Sequence, residues 1–164
     1  MAIARPPPRG PGGYFEYFYT STWPSEIDLA LVGSDGNCVA PYGEVGKGLP
    51  HPRFYGTFPR VIHHYVRERG ALPLELAIHK MTGATARALK LKDRGLLKEG
   101  YRADVAVFDP EDFRDRATYA DPHQFPTGAR TTVIVNGTIV VEDAVHTGAL
   151  PGKVLRRDAS GAVA

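Results

Sequence analysis

The spacing of apolar and polar positions changes twice along the chain and divides it into three kinds of segment. "IDLALVG", residues 27–33, is a short apolar run and reads as a buried strand. Such a run suits a parallel sheet, covered on both faces, better than a one-sided antiparallel one. Over residues 57–69 the period is helical. Phe58, Val61, Ile62, Tyr65 and Val66 fall at i, i+3, i+4, i+7 and i+8, while Arg60, His63, Arg67 and Glu68 largely face away. Gly70 is placed to end this helix in the C′ position. A second helix starts at "LPLELAIHKM", with Pro73 near its first turn and an apolar stripe of Leu74, Ala77, Ile78 and Met81. Gly83 interrupts it, and "ATARALKL" supplies a further short helical piece with good intrinsic propensity.

After "KDRGLLKEGYRA" the period becomes strand-like. "ADVAVFD", residues 103–109, alternates and carries β-formers. "TTVIVNGTIVVED", residues 131–143, places two β-rich runs around Asn136-Gly137, the strongest short signal for a hairpin. The predicted order is one strand, a helical block, then β-strands, with no internal repeat. Residues 1–13 are rich in proline and glycine and offer little to bury, which predicts disorder. "YFEYFYTSTWP", residues 14–24, reads as a strand or a core plug that needs covering. The tail from Arg156 is expected to fray.

Composition narrows the class without identifying a function. The 164 residues suggest one domain, or one and a fragment of another. A net charge of +2 from scattered basic residues gives no footprint for nucleic acid. No apolar run approaches a membrane span, and "MAIARPPPRGPGG" lacks the apolar region of a secretory signal. Cys38, the single cysteine, fits a reducing, cytoplasmic setting.

The candidate chemistry centres on "ALVGSDGN", where an apolar run ends in Gly-Ser-Asp-Gly, and on "HPRFYGTFPR" about fifteen residues later. Taken alone, Ser-Asp-Gly-Asn is turn-forming. The alternative is a carboxylate at the C-terminal end of a barrel strand, where barrel active sites lie. One such group can serve amide hydrolysis twice, first accepting a proton from water and then giving one to the leaving nitrogen. An arginine such as Arg53 can grip a carboxylate with two parallel hydrogen bonds, although an Arg beside a Pro in a loop is commonly just solvated. Arg60 sits within the helix and suits a structural salt bridge. The six histidines include no H-x-H and no H-E-x-x-H, and His63 and His64, adjacent on a helix, make no chelating pair. His79 reads as structural or solvent-facing. His51 lines the pocket or is a plain loop histidine.

The stretches "GSDG", "HPRFYGTFPR", "AIHKMTGATARALKLKDRGLLKEGYRADVAVFDP" and "VIVNGTIVVED" together resemble the C-terminal part of N-acyl-D-amino-acid deacylases, the D-aminoacylases of the amidohydrolase superfamily. The resemblance spans residues 27–157. "HPR…GTFPR" is distinctive for this branch, whereas "GLLKEGYRADVAVFDP" and "VIVNG" are shared widely across the superfamily. It implies an α/β chain that is the C-terminal fragment of a metal-dependent (β/α)8 barrel plus the C-terminal strands of a small β-sandwich. On that reading residues 1–26 form a disordered or non-family segment. Residues 27–95 are the last barrel strand, active-site loop and following helices, residues 96–157 are sandwich strands, and residues 158–164 are a frayed tail. Length agrees independently, because a whole barrel needs about 250 residues and eight strand–helix units.

The resemblance also implies roles. Asp35 matches the acid/base aspartate of the family, a position that can lie close to its metal, and Arg53 matches the arginine that binds the substrate's α-carboxylate. Ser34 and Gly36 flank Asp35 and shape the loop, with Gly36 expected to supply a positive φ or a close backbone approach. The loop "NCVAPYGEVGKGLP" departs from the family and puts substrate preference in doubt. Zinc serves the intact family enzyme, but its H-x-H pair, cysteine and further histidines belong to earlier strands. Cys38 therefore does not inherit a ligand role, and tight metal binding by this chain alone is not expected. The implied substrate is a small N-acyl-D-amino acid, the implied partner is the missing barrel portion as a separate chain, and the isolated chain is expected to be inactive. Two alternatives stay open: a non-catalytic, β-rich interaction module whose open strand edges invite pairing, and an amidohydrolase acting on cyclic amides.

Overall fold

The computed structural model describes residues 30–128, 131–161 and 163. The stretches 1–13 and 14–24, and the first part of the expected strand 27–33, lie outside the described residues. The chain divides into two compact units, Met1–Ala30 and Leu31–Ala164. Every described helix and strand belongs to the second.

Helix α1, Arg53–Arg60, begins directly after Pro52. It runs on without a break into a π-helical segment, Val61–Glu68. The helix read over residues 57–69 is therefore real, but it starts earlier and widens in its second half. Pro59 lies inside α1. Having no N–H, it leaves a gap in the i→i−4 ladder, and the wide turns begin two residues later. The segment ends at its glycine. Gly70 has φ of 57°, and the Ala71 N–H donates to the Tyr65 carbonyl at 2.8 Å. That bond reaches one residue further back than the 6→1 bond of a Schellman ending, as a widened last turn requires. The widened turns also shift the buried face. Val61, Ile62 and Tyr65 are each 1% exposed, whereas Phe58, expected on the same stripe, is 43% exposed.

Helix α2, Leu74–Met81, starts after Pro73, and α3, Gly83–Ala88, follows at once. Ala77, Lys80 and Ala86 are among the buried positions of this pair. The two alanines share the apolar core with Val32, Tyr55, Leu72, Val163 and the π-helical Val61, Ile62 and Tyr65. No described helix is long and apolar enough to cross a membrane.

The described strands form a single antiparallel meander in the order β1-β2-β3-β4. They are β1 Val105–Val107, β2 Thr132–Val135, β3 Thr138–Glu142 and β4 Val145–His146. Asn136 and Gly137 have φ of 48° and 80°, which is the primed turn that Asn-Gly signals. Ile134 faces Ile139 across the hairpin, and the register slips between Val133 and Ile134. None of these strand residues is fully buried, so the sheet lies to one side of the core.

Two expectations fail here. Residues 30–33 of the expected parallel strand are in no strand. A parallel strand needs neighbours to bond, and every described strand belongs to the antiparallel meander. The described residues of the tail do not fray either. Val163 bridges to both Leu91 and Arg157 and is 9% exposed, and the Lys92 ammonium lies 2.6 Å from the Asp158 carboxylate.

The sheet is tied by polar contacts to Arg94, in the irregular stretch that follows α3. Arg94 bonds the Asp104 carboxylate and donates to Asn136 Oδ1 at 2.9 Å. The Asn136 N–H donates to Asp104 Oδ1 at 2.8 Å, and Asn136 Nδ2 donates to the Pro151 carbonyl at 2.8 Å. Asn136→Ala removes two of these bonds and leaves a side chain other than Asn or Gly at positive φ. It should cost about 2–3 kcal/mol, read as a lower urea midpoint. Asn136→Gly should recover the backbone share of that loss. An unchanged midpoint for the alanine variant would show that this contact does not hold the sheet.

Candidate functional site

Residues 31–52 form a loop whose only regular element is the 3-10 turn Glu44–Gly46. The loop returns to the start of α1, and there Asp35 and Arg53 meet. Arg53 Nη2 lies 2.9 Å from Asp35 Oδ2, and Arg53 Nε donates to the Asp35 carbonyl at 3.0 Å. The guanidinium thus holds this residue at two points, one charged and one neutral. Asp35 sits at φ 47°, a left-handed conformation that aspartate tolerates better than most residues. Its side chain is 89% exposed and that of Arg53 is 28% exposed. Such an open ion pair is worth about 1 kcal/mol or less.

The residues beside Asp35 shape the approach. The Gly36 N–H donates to Ser34 Oγ at 3.2 Å. A Cβ on Gly36 would lie 3.3 Å from both Cα and Cδ1 of Phe54. Of the two uses expected for this glycine, the structure realises close backbone approach, while the positive φ falls on Asp35. The Arg53 guanidinium also lies 5.7 Å from the centre of the Phe54 ring, a distance at which cation and ring attract.

The first turn of α1 is held by side chains that no motif links. The Arg53 N–H, which has no acceptor within the helix, donates to His51 Nδ1 at 3.0 Å. His51 Nδ1 is therefore the bare nitrogen of a neutral ring, and Nε2–H donates to the Tyr119 hydroxyl at 3.0 Å. A second pair repeats the pattern in reverse. His123 Nε2–H donates to the Gly48 carbonyl at 2.8 Å, so its Nδ1 accepts from the Tyr55 hydroxyl at 3.1 Å. Both pairs join residues 68 apart. "HPRFY" and "YADPH" each carry a His and a Tyr four residues apart in opposite order, but no short motif links segments so distant.

The other residues singled out from the sequence lie elsewhere. Arg60 makes the expected structural bridge, to Asp115 at 3.2 Å. His64 Nδ1 donates to Glu68 Oε2 at 2.6 Å, with His63 Nδ1 at 3.7 Å from Oε1. The hydrogen bond from His64 holds the Glu68 carboxyl below its usual range. Cys38 is exposed and free. Among the described residues, no group of three or more His, Cys, Asp and Glu side chains could hold a metal ion.

Burial, aided by the nearby Arg53 charge, lowers the pKa of His51 from its ordinary 6.5. The unfolded ring then binds a proton at a pH where the folded ring does not. The contribution of His51 to stability is full above 6.5 and is lost as pH falls through the lowered folded value. An NMR titration should give this ring a midpoint below 6.5. A midpoint at or above that value would contradict the neutral, Nε2-protonated ring.

Comparisons with known proteins place this chain in a lineage. A profile of the Amidohydrolase family matches residues 31–141. A D-aminoacylase of Alcaligenes xylosoxydans xylosoxydans is 45% identical over 130 residues, covering 79% of this chain and 25% of that protein. An N-acyl-D-aspartate deacylase of the same organism is 47% identical over 128 residues, covering 77% of this chain and 24% of that protein. The crystal structure of an N-acyl-D-glutamate deacylase from Bordetella bronchiseptica, complexed with zinc and a phosphonate inhibitor, aligns with a TM-score of 0.60 at 40% identity. That alignment covers 69% of this chain and 22% of the other. The chain spans about a quarter of the length of the curated relatives it matches. With the family match running from the loop before Asp35 through the hairpin, the chain belongs to the amidohydrolase family.

Proposed function

We propose that this chain carries the proton-transfer aspartate and the carboxylate-binding arginine of an N-acyl-D-amino-acid deacylase. Residues 27–95 are the end of its catalytic barrel and residues 96–157 its share of a small β-domain. The rest of the barrel belongs to the same enzyme, whether within a longer chain or as a separate one, in a cytoplasmic setting. The observation that carries the reading is the two-point grip of Arg53 on Asp35. The arginine already holds a carboxylate, in the segment where deacylases match this chain.

In the reaction, water adds to the amide carbonyl carbon and the C–N bond breaks, giving a carboxylate and a D-amino acid. The α-carboxylate of an N-acyl-D-amino acid can replace the Asp35 carboxylate on Arg53 at little cost, because the existing pair is open to solvent. That exchange frees Asp35 to take the proton of the attacking water and to deliver one to the leaving nitrogen. The Ser34–Gly36 bond shapes the loop, and the bare Gly36 lets it pass close to Phe54 at the helix start. Zinc belongs to the proposal for the intact enzyme, as in the Bordetella bronchiseptica deacylase. The described residues do not make a site for it, and the part given to this chain is confined to holding the substrate and moving protons.

The purified chain, given zinc and N-acetyl-D-glutamate, should show no turnover; hydrolysis that Asp35→Asn abolishes would overturn the expected inactivity. In a chimera, residues 31–161 would replace the matching quarter of the D-aminoacylase. There Asp35→Asn should lower kcat by about 10²–10⁴-fold. Arg53→Ala should act mainly on KM, raising it by about 10- to 100-fold. A chimera that remains active with both substitutions would refute the two assignments.

A further inference from the structure

Residues 115–123 run beside α1 and the residues that lead into it. Asp115 bonds Arg60, and its Cβ lies 3.1 Å from where a Gly56 Cβ would sit. Tyr119 meets His51, and His123 meets Tyr55. The segment is stiffened by its own bonds. The Thr118 N–H donates to the Asp121 carbonyl at 3.0 Å, and the Asp121 N–H donates to Thr118 Oγ1 at 3.0 Å. Pro122 is among the largest fully buried residues.

We propose that Tyr119, acting through His51, is a positioning residue for Arg53, bracing the first turn of α1 and so setting the angle from which its guanidinium meets a carboxylate. The proposal rests on Arg53 as the carboxylate-binding residue. Its physical core is a tautomer. His51 can accept from the Arg53 N–H only if the ring proton is on Nε2, and the Tyr119 hydroxyl is the acceptor that favours that form. At the other end of the same residue, the Thr57 hydroxyl donates to the Arg53 carbonyl at 2.9 Å. The main chain of Arg53 is therefore held from both sides, and the side chain swings from a fixed base. Misplacement of a positioning group by about 1 Å can cost of the order of 100-fold in rate, so a brace at this point has a use beyond stability. Tyr119 is 59% exposed, so water can stand in partly for its hydroxyl and the effect of losing it should be graded.

The test uses the full chain and two NMR readouts. Long-range 15N spectra report the tautomer of His51, and the Arg53 Nε–H signal reports binding of N-acetyl-D-glutamate as the probe. The wild type should show His51 protonated on Nε2. Tyr119→Phe should mix the tautomers and weaken probe binding at Arg53 by about three- to tenfold. His51→Asn supplies an acceptor oxygen for the Arg53 N–H but has no tautomer to set. On that background Tyr119→Phe should change probe binding by less than about twofold. An Nδ1-protonated His51 in the wild type would overturn the proposal, as would equal losses on both backgrounds, which mark Tyr119 as merely structural. A wild type whose tautomer is as expected but whose Arg53 signal ignores the probe would remove the carboxylate-binding reading instead, and with it the brace's purpose.

Discussion

The described unit depends on how Arg94 is held. Its side chain is only 13% exposed and reaches from the irregular stretch after α3 to Asp104 and to Asn136. Leaving a guanidinium that far from water without a carboxylate would cost several kcal/mol, so the arginine and the β1 approach are obliged to stay together. Asn136 extends the obligation to the hairpin turn and, through the Pro151 carbonyl, to the chain beyond β4. Apolar burial does not take this part for the sheet, since none of its described strand residues is fully buried. The helices cohere by burying Val61, Ile62, Tyr65 and Ala77. The sheet is held to the segment around Arg94 through charge and hydrogen bonds.

The same division governs the candidate site. The loop that carries Asp35 has almost no regular structure and is attached to α1 by Arg53. The arginine in turn is fixed by its main chain rather than by its charge. A rigid base with a weakly held partner suits a group that must exchange one carboxylate for another. The catalytic reading and the geometry are therefore compatible without any strain in the helix itself. Membership of the amidohydrolase family supplies the lineage; the local physics supplies the reason for Arg53 to stand where it does.

Much of this is legible in local patterns. Asn136-Gly137 specifies its turn because few other pairs accept two positive φ values, and Gly70 marks the helix end for the same steric reason. β4 escapes notice because its turn is Asp143-Ala144, with φ of 49° and 63°, and alanine carries no signal for that conformation. The π-helical segment is hidden because the apolar spacing over residues 57–69 fits an α-helix and carries no mark of the wider turns. The expected strand at residues 27–33 rests on apolarity alone, which cannot supply the neighbouring strands such a segment must bond. At the site, motifs name Asp35 and Arg53 but do not predict that they pair directly. The His–Tyr contacts join segments 68 residues apart, a separation at which only the folded chain brings partners together. The order of the described tail residues is invisible in the sequence because its anchors, Val163 and the Asp158–Lys92 ion pair, stand among small and polar residues that carry no periodic signal.

The π-helical segment has a consequence for how this region tolerates deletions. Each i→i+5 turn takes in one residue more than an α-turn, so Val61–Glu68 stores surplus length behind α1. Losing a single residue there can be absorbed by tightening one wide turn to an α-turn, which leaves the stretches on either side facing as before. Losing one between Arg53 and Pro59 meets no such slack. The helix would survive, but Arg53 would turn by about 100° relative to Ile62 and Tyr65 and face away from the Asp35 loop. Tolerance is therefore lopsided along one continuous helix: its wide half has slack for the loss of a residue other than the buried Val61, Ile62 and Tyr65, while in its narrow half the count of residues sets the direction of the guanidinium.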